Sequence, residues 1–341
     1  MTRRHPSVAD PVARVAVLGA GSWGTAFAKV LCDAGCAVTV LARRPEIAAA
    51  LRVGHNADYL PGVALPDQLD ATCEPAEALA GAQVVVLAIP AQRLRENLTD
   101  WAPLIGHTAT VVSLIKGIEL GTDKRMSEIV ADVTSLPSGQ IAVVSGPNLA
   151  REVAAEQPAA CVVACAEEDR ATWLQDLCKT AYFRPYSNVD VVGCELGGAV
   201  KNVIALACGM ASGMGFGDNT KATLVTRGLA ETARLGAAMG ADPLTFAGLA
   251  GLGDLAATCM SPLSRNRSFG ERLGRGESVA EASVAIRQTA EGVQSCRSVL
   301  DLALRHGVEM PITEGVVAVC RDGVPPTHMV EALMTRKMKS E

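Results

Sequence analysis

Aromatic residues are scarce in this 341-residue chain, with Phe, Trp and Tyr together making up 3%. That argues against a stacking platform for single-stranded nucleic acid. Positive charge is not in excess either: 31 Lys and Arg against 36 Asp and Glu leave a net charge of −5. Such a chain lacks the field that duplex binding requires, and no nucleic-acid partner is expected. No uninterrupted apolar run reaches the roughly 18 residues of a membrane span. The nearest candidate, around Leu196 to Met214, carries Lys201 and Asn202 in its middle. The five histidines show no ligand spacing and no C-x-x-C pair occurs, so no metal is expected. The 11 cysteines are odd in number, and Cys32, Cys161, Cys165 and Cys208 lie in apolar segments as small hydrophobes. Scatter of this kind points to a reducing compartment, and the cytoplasm is the expectation.

What is present describes a folded protein of about two domains. Hydrophobic residues reach 49% and charged residues 20%, which rules out disorder as the dominant state. Residues 1–12 read as a loose tail, because Asp10 and Arg14 interrupt any leader-like apolar region after Arg3, Arg4 and His5. Apolar, β-branched runs follow at 13–19 (ARVAVLG), 37–42 (AVTVLA), 83–90 (QVVVLAIP), 108–115 (TATVVSLI) and 141–145 (IAVVS). Segments able to form helices separate them, so the expected fold is α/β: a Rossmann-like, doubly wound parallel sheet. After about Asn188 the runs cease, and Ala-, Leu- and Gly-containing stretches of helical period take over. The expected organisation is therefore a dinucleotide-binding unit, 13–190, followed by a mostly helical unit, 191–341.

Gly19-Ala20-Gly21-Ser22-Trp23-Gly24 is G-x-G-x-x-G between a strand and a helix. Gly19 makes the tight turn, Gly21 admits a pyrophosphate, and Gly24 lets helix pack on strand. The second strand ends in Leu41-Ala42-Arg43-Arg44, with no acid before Glu46 to hold a ribose 2′-hydroxyl. Arg43 and Arg44 are suited to a 2′-phosphate, which favours NADP over NAD, unless they are simply solvated arginines. Lys116 follows the fourth run and Ser145-Gly146-Pro147-Asn148 the fifth, at the sheet edge where ligands bind. Lys116 can hold a phosphate there or lie on the surface.

Glu195-Leu196-Gly197-Gly198-Ala199-Val200-Lys201-Asn202 places Lys201 on one helical face with two glycines, whose missing side chains would open room for a ligand. Among such apolar neighbours the ammonium either snorkels outward or has a depressed pKa suited to proton transfer; spacing leaves both open. Asp254 interrupts the apolar run FAGLAGLGDLAA and needs a cationic partner, for which Lys201 is the candidate, or else caps a helix. Arg265 with Asn266, after Ser264, forms either a planar donor set for a phosphate or part of a basic loop.

Together these residues resemble the bacterial NAD(P)-dependent glycerol-3-phosphate dehydrogenases from about residue 13 to about 320. The resemblance is carried by GAGSWGTAFA (19–28), NADYLPG (56–62), IKGIE (115–119), SGPNLAREVA (145–154), ELGGAVKNVIA (195–205), GLGDLAATC (251–259) and SRNRSFG (264–270). It implies reduction of dihydroxyacetone phosphate to sn-glycerol 3-phosphate with NAD(P)H, feeding glycerophospholipid synthesis. It further implies that Lys201 donates the proton and that Lys116 sits between nicotinamide and substrate. Gly146, Asn148, Asp254, Ser264, Arg265 and Asn266 carry over to the substrate. Ser22, Trp23, Arg43, Arg44, Ala150, Arg265 and Glu291 carry over to the cofactor. A homodimer is also implied. The chain departs from the family in having Asn148-Leu149 where Ser or Thr followed by Phe is usual. Two other readings are a β-hydroxyacid-type dehydrogenase, which would not explain Asp254 and Arg265-Asn266, and a non-catalytic NAD(P) sensor, which would be expected to lose Lys201 or Asp254.

Overall fold

The computed structural model of the chain describes residues 12–286 and 290–337. The expected tail, 1–12, lies outside them save for Val12. Eight strands form one sheet in the order β3-β2-β1-β4-β5-β6-β7-β8. They are β1 (Arg14–Leu18), β2 (Ala37–Leu41), β3 (Asp70–Thr72), β4 (Val84–Leu87), β5 (Thr110–Ser113), β6 (Ile141–Ser145), β7 (Ala159–Cys165) and β8 (Phe183–Asn188). The five runs expected to be strands are β1, β2, β4, β5 and β6. Their Val- and Leu-rich sequences are buried on both faces, as a sheet covered on two sides requires.

The sheet departs from the expected all-parallel arrangement at one pairing. β7 runs antiparallel to β6, with Val143 opposite Ala164, while β8 is parallel to β7. Because β3 precedes β4, Lys116 follows the fifth strand rather than the fourth, and Ser145 ends the sixth.

Order reverses between β1 and β4, whose registers pair Val15 with Val84 and Leu18 with Leu87. Ligands bind at the carboxyl end of such a reversal. Gly19 stands there with φ +123°, a left-handed value that glycine adopts readily, and a Cβ on it would collide with the Ala88 carbonyl.

Beyond β8 the described residues form helices only, built around Val191–Gly213. By length and composition this helix could cross a bilayer, yet 89% of its most apolar stretch is buried inside the protein. It is therefore a core helix, clothed by the helices Asp218–Ala238, Arg265–Gly274, Glu291–Arg305 and Pro311–Asp322. Its crossing with Arg265–Gly274 is backbone against backbone. Cβ atoms on Gly209 and Gly213 would strike the carbonyls of Arg267 and Glu271, and those on Gly270 and Gly274 the carbonyls of Leu206 and Met210. Two G-x-x-x-G pairs thus face each other and bring Ser264-Arg265-Asn266 over Lys201-Asn202.

Candidate active site

The glycine turn opens the helix Ser22–Asp33, whose first turn has neither a side-chain cap nor an acid. Its leading N–H groups are therefore available to an anion, and the helix dipole favours one. A Cβ on Gly21 would meet nothing within 4 Å, so the main chain there is open to close approach. Gly24 packs against the Gly19 carbonyl, the close contact expected of the third glycine. Trp23 packs among Ala26, Leu60, Ala150 and Ala154, with its buried Nε1 unpartnered among the described residues. These features fit a dinucleotide. Arg43 and Arg44 follow β2 as expected, Arg43 exposed and Arg44 partly buried.

The helix Val191–Gly213 carries Lys201 into the protein, where it is 7% exposed, and Asp254, opposite, is 1% exposed. Lys201 Nζ donates to Asp254 Oδ1 at 2.5 Å and to Thr258 Oγ1 at 2.8 Å. Burial drives the Lys201 pKa down to about 8 against the pull of Asp254, with Lys116 pushing the same way as burial. Of the two readings open to Lys201, the buried one holds. The room predicted beside it is otherwise used. Gly197 admits the backbone of Ala250, and Gly198 the stem of Lys116 and the Ser145 hydroxyl. Those glycines bring protein to the lysine rather than leaving space for a ligand.

Asp254 begins the helix Asp254–Met260, but its carboxylate binds lysines instead of capping. Its second oxygen, Oδ2, accepts from Lys116 Nζ at 2.7 Å, and the same ammonium donates to the Gly146 carbonyl at 3.0 Å. One carboxylate therefore serves two ammonium groups, leaving the cluster with one net positive charge. Each lysine uses two of its three N–H groups in these contacts. Gly146 holds φ +108° to turn its carbonyl toward Lys116. Asn148 follows, with both side-chain amide atoms buried and unpartnered among the described residues.

Asn266 reaches the site differently from the expected phosphate clamp. Its Nδ2 donates to Asn202 Oδ1 at 2.9 Å, its Oδ1 accepts from Gly292 N at 2.9 Å, and Asn202 Nδ2 donates to the Lys116 carbonyl at 3.2 Å. The chain of amides ties Lys116 to the start of the helix Glu291–Arg305 and leaves one Asn266 N–H without a partner among the described residues. Ser264 caps the helix Arg265–Gly274 by accepting from Arg267 N at 3.2 Å. Arg265, at the first position of that helix, is exposed. Crowding by protein lowers its pKa while Glu291 opposes this, and it makes no hydrogen bond or ion pair among the described residues. Burial raises the Glu291 pKa to about 7, and Ala91 N approaches its carboxylate at 3.4 Å.

Glu195 opens the stretch that carries Lys201, and nothing in its sequence surroundings assigns it a role. Glu195 accepts from Arg125 Nη1 at 2.6 Å, Ser127 Oγ at 2.6 Å and Ser127 N at 2.8 Å. It therefore bolts the lysine-bearing helix to the N-terminus of the helix Met126–Thr134 beside the sheet. An acid six residues before a lysine gives no sign of this, because the partners lie some seventy positions upstream. Ser295, whose buried hydroxyl is unpartnered among the described residues and lies by Gly117, carried no local signal either.

A glycine turn at the reversal of a doubly wound sheet, faced by a buried lysine–carboxylate–lysine cluster, defines a dinucleotide-dependent oxidoreductase. Family comparison is more specific. The models of the NAD-dependent glycerol-3-phosphate dehydrogenase N-terminus and C-terminus match residues 14–171 and 190–331. The chain belongs to the NAD-dependent glycerol-3-phosphate dehydrogenase family. It is 62% identical over 329 residues to the glycerol-3-phosphate dehydrogenase (NAD(P)+) of Streptomyces griseus subsp. griseus, covering 96% of this chain and 98% of that protein. It is 62% identical over 330 residues, with the same coverages, to that of Thermobifida fusca. The crystal structure of glycerol-3-phosphate dehydrogenase from Coxiella burnetii superposes with a TM-score of 0.91 at 37% identity, covering 95% of this chain and 99% of that one. An NAD(P) cofactor follows for this chain.

Proposed function

We propose that the chain reduces dihydroxyacetone phosphate to sn-glycerol 3-phosphate, reversibly, and so supplies glycerophospholipid synthesis in the cytoplasm. The observation that carries the reading is the carboxylate of Asp254 shared by Lys201 and Lys116 at the carboxyl edge of the sheet. Residues 13–190 then form the dinucleotide-binding unit and 191–341 the substrate unit, with the site between them. NADP is the favoured cofactor, from Arg43 and Arg44, and the assembly is a homodimer.

When bound, the nicotinamide supplies or takes a hydride. Lys201, the more deeply buried lysine, is the general acid: its third N–H protonates the carbonyl oxygen of the substrate as charge develops there. Its pKa of about 8 places the proton near physiological pH, where general acids work best. Asp254 and Thr258 hold that ammonium in place, and Lys116 orients and polarises the same substrate. Gly146 and Asn148 line the substrate's other side. Arg265, Ser264 and the remaining N–H of Asn266 receive the phosphate at the start of the helix Arg265–Gly274, whose dipole also favours an anion. In the oxidation direction Lys201 returns as base.

The test is the loss of NADPH absorbance on adding dihydroxyacetone phosphate, with NADH and a 3-hydroxy-acid semialdehyde in parallel. Turnover with the triose phosphate and not the semialdehyde is expected. Turnover of the semialdehyde alone would move the chain to the β-hydroxyacid class. Nucleotide binding with no turnover of either would leave a sensor.

A further inference from the structure

The end of β2 lacks the acid that would hold a ribose 2′-hydroxyl, yet the fold delivers one from elsewhere. Arg44 Nη2 is 2.7 Å from Asp58 Oδ2, and its Nε is 3.6 Å from Glu46 Oε1. Its guanidinium also lies over the Tyr59 ring, 5.8 Å from the centroid. Residues 56–60 are tied to the glycine turn. Fully buried Asn56 donates to the Ala20 carbonyl at 3.0 Å and to Thr25 Oγ1 at 2.9 Å, and Ser22 Oγ donates to the Tyr59 carbonyl at 2.8 Å. Asp58 is thus held against the end of β2 by the same loop that braces the glycine turn. Arg43 is exposed and makes no hydrogen bond or ion pair among the described residues.

We propose that Asp58 sets the balance between the two dinucleotides by competing with a ribose 2′-phosphate for Arg44, leaving Arg43 as its main reader. This rests on placing Arg43 and Arg44 at the adenosine end of the cofactor. With Asp58 and Glu46 present, the two arginines are neutralised in sum, so an incoming dianion meets a site of no net charge. It must take Arg44 from a carboxylate and then lie beside that carboxylate, an exchange that lowers its advantage. A cofactor with a bare 2′-hydroxyl leaves the Asp58–Arg44 pair undisturbed. The arrangement explains how a site carrying two adjacent arginines still admits NAD. The Asp58–Arg44 pair is more than half exposed on the acid side, so its effect is limited.

The experiment titrates adenosine 2′,5′-bisphosphate and 5′-AMP, which differ only in the 2′-phosphate, into the wild type and the variants Asp58→Asn, Arg43→Gln and Arg44→Gln by calorimetry at low salt. The ratio of the two dissociation constants reads the 2′-phosphate alone. Asp58→Asn is expected to raise that preference by about 1.5- to 5-fold, the range of an exposed ion pair, with 5′-AMP affinity unchanged. Arg43→Gln is expected to abolish most of it, and Arg44→Gln less. A wild-type preference left unaltered or reduced by Asp58→Asn would overturn the role of Asp58. A greater loss from Arg44→Gln than from Arg43→Gln would overturn the division between the arginines. No preference in either the wild type or Asp58→Asn would overturn the proposal together with the placement of the arginines. Thermal melting of each variant separates these outcomes from misfolding.

Discussion

Lys116 and Lys201 meet at a single carboxylate, one ammonium on each oxygen of Asp254 at 2.7 and 2.5 Å. Lys116 comes from the loop after β5 and Lys201 from the core helix of the second half, so the pairing joins the two halves of the chain. Both cations also sense each other, and that mutual repulsion helps hold the Lys201 pKa near 8.

Replacing Lys201 by Ala should reduce kcat by about 10²–10⁴-fold, the usual worth of a positioned general acid. For the wild type, carbonyl reduction should fall as pH rises through about 8, where Lys201 loses its proton. Near-normal turnover with an unchanged pH profile in Lys201→Ala would remove this residue from the chemistry. Folding lowers the Lys201 pKa from 10.5 to about 8, so the unfolded chain binds more protons between those values. Its contribution to stability should therefore increase with pH across that window and be at its least below it. Denaturant unfolding at pH 8 and pH 10, wild type against Lys201→Met, isolates the slope.

Asp254→Asn should leave two ammonium groups crowded together with no counter-charge. Removing one partner of a buried pair costs about 3–5 kcal/mol, and part of that is recovered if a lysine deprotonates. The variant's pH–rate profile should accordingly move to lower pH, since the chief influence raising the Lys201 pKa is gone. An unshifted profile with only reduced stability would make Asp254 purely structural.

Glu231 has no hydrogen bond to the lysine cluster among the described residues and offers a separate pH test. Buried on the helix Asp218–Ala238, it accepts from Ile312 N at 2.7 Å and Thr313 N at 3.3 Å, capping the helix Pro311–Asp322 from outside. Burial raises its pKa from 4.5 to about 7, although those donors pull the other way. The folded chain then holds a proton there that the unfolded chain gives up between pH 4.5 and 7. Its stabilising contribution is present below that window and is lost as pH rises through it. Glu231→Gln, which cannot titrate, should show a shallower decline in unfolding midpoint from pH 5 to pH 7. Parallel curves for the two proteins would refute the assignment.

Gly270→Ala should destabilise by about 1–3 kcal/mol, because its new methyl would meet the Leu206 carbonyl. The more telling readout is KM for the triose phosphate. Pushing the two helices apart moves Arg265 and Asn266 away from Lys201, so KM should rise even where the fold survives. A stability loss with KM unaltered would show that the crossing does not set the site.

Much of this was legible in residues alone. β1, β2, β4, β5 and β6 announce themselves because strands buried on both faces need unbroken Val, Leu and Ile, and the glycine turn marks the reversal point by its spacing. β3, β7 and β8 did not. β3 has three residues, β7 is built of Ala, Val and Cys, and edge strand β8 carries Arg184, Pro185 and Ser187 on a half-exposed ladder. Lys201 and Asp254 stood out as charges in apolar runs, and each is explained by the other. The positions of Glu195 and Asp58 depend on partners brought close by the fold. No local pattern encodes them. Asn266 reads from the sequence as a phosphate donor and Asn202 only as part of a motif, and their bonding to each other emerges only where the two helices cross.

That crossing has an implication for how the protein tolerates change. Elsewhere in a core, a substitution is absorbed when neighbouring side chains adjust their rotamers. At Gly209, Gly213, Gly270 and Gly274 the neighbours are main-chain carbonyls, and these have no alternative rotamer to adopt. The angle between the two helices is thus fixed by the peptide unit itself and is indifferent to the sequence around it. Mutations in the surrounding core can drift without altering where the lysine and the arginine stand relative to one another, while drift at those four positions has no second-site remedy.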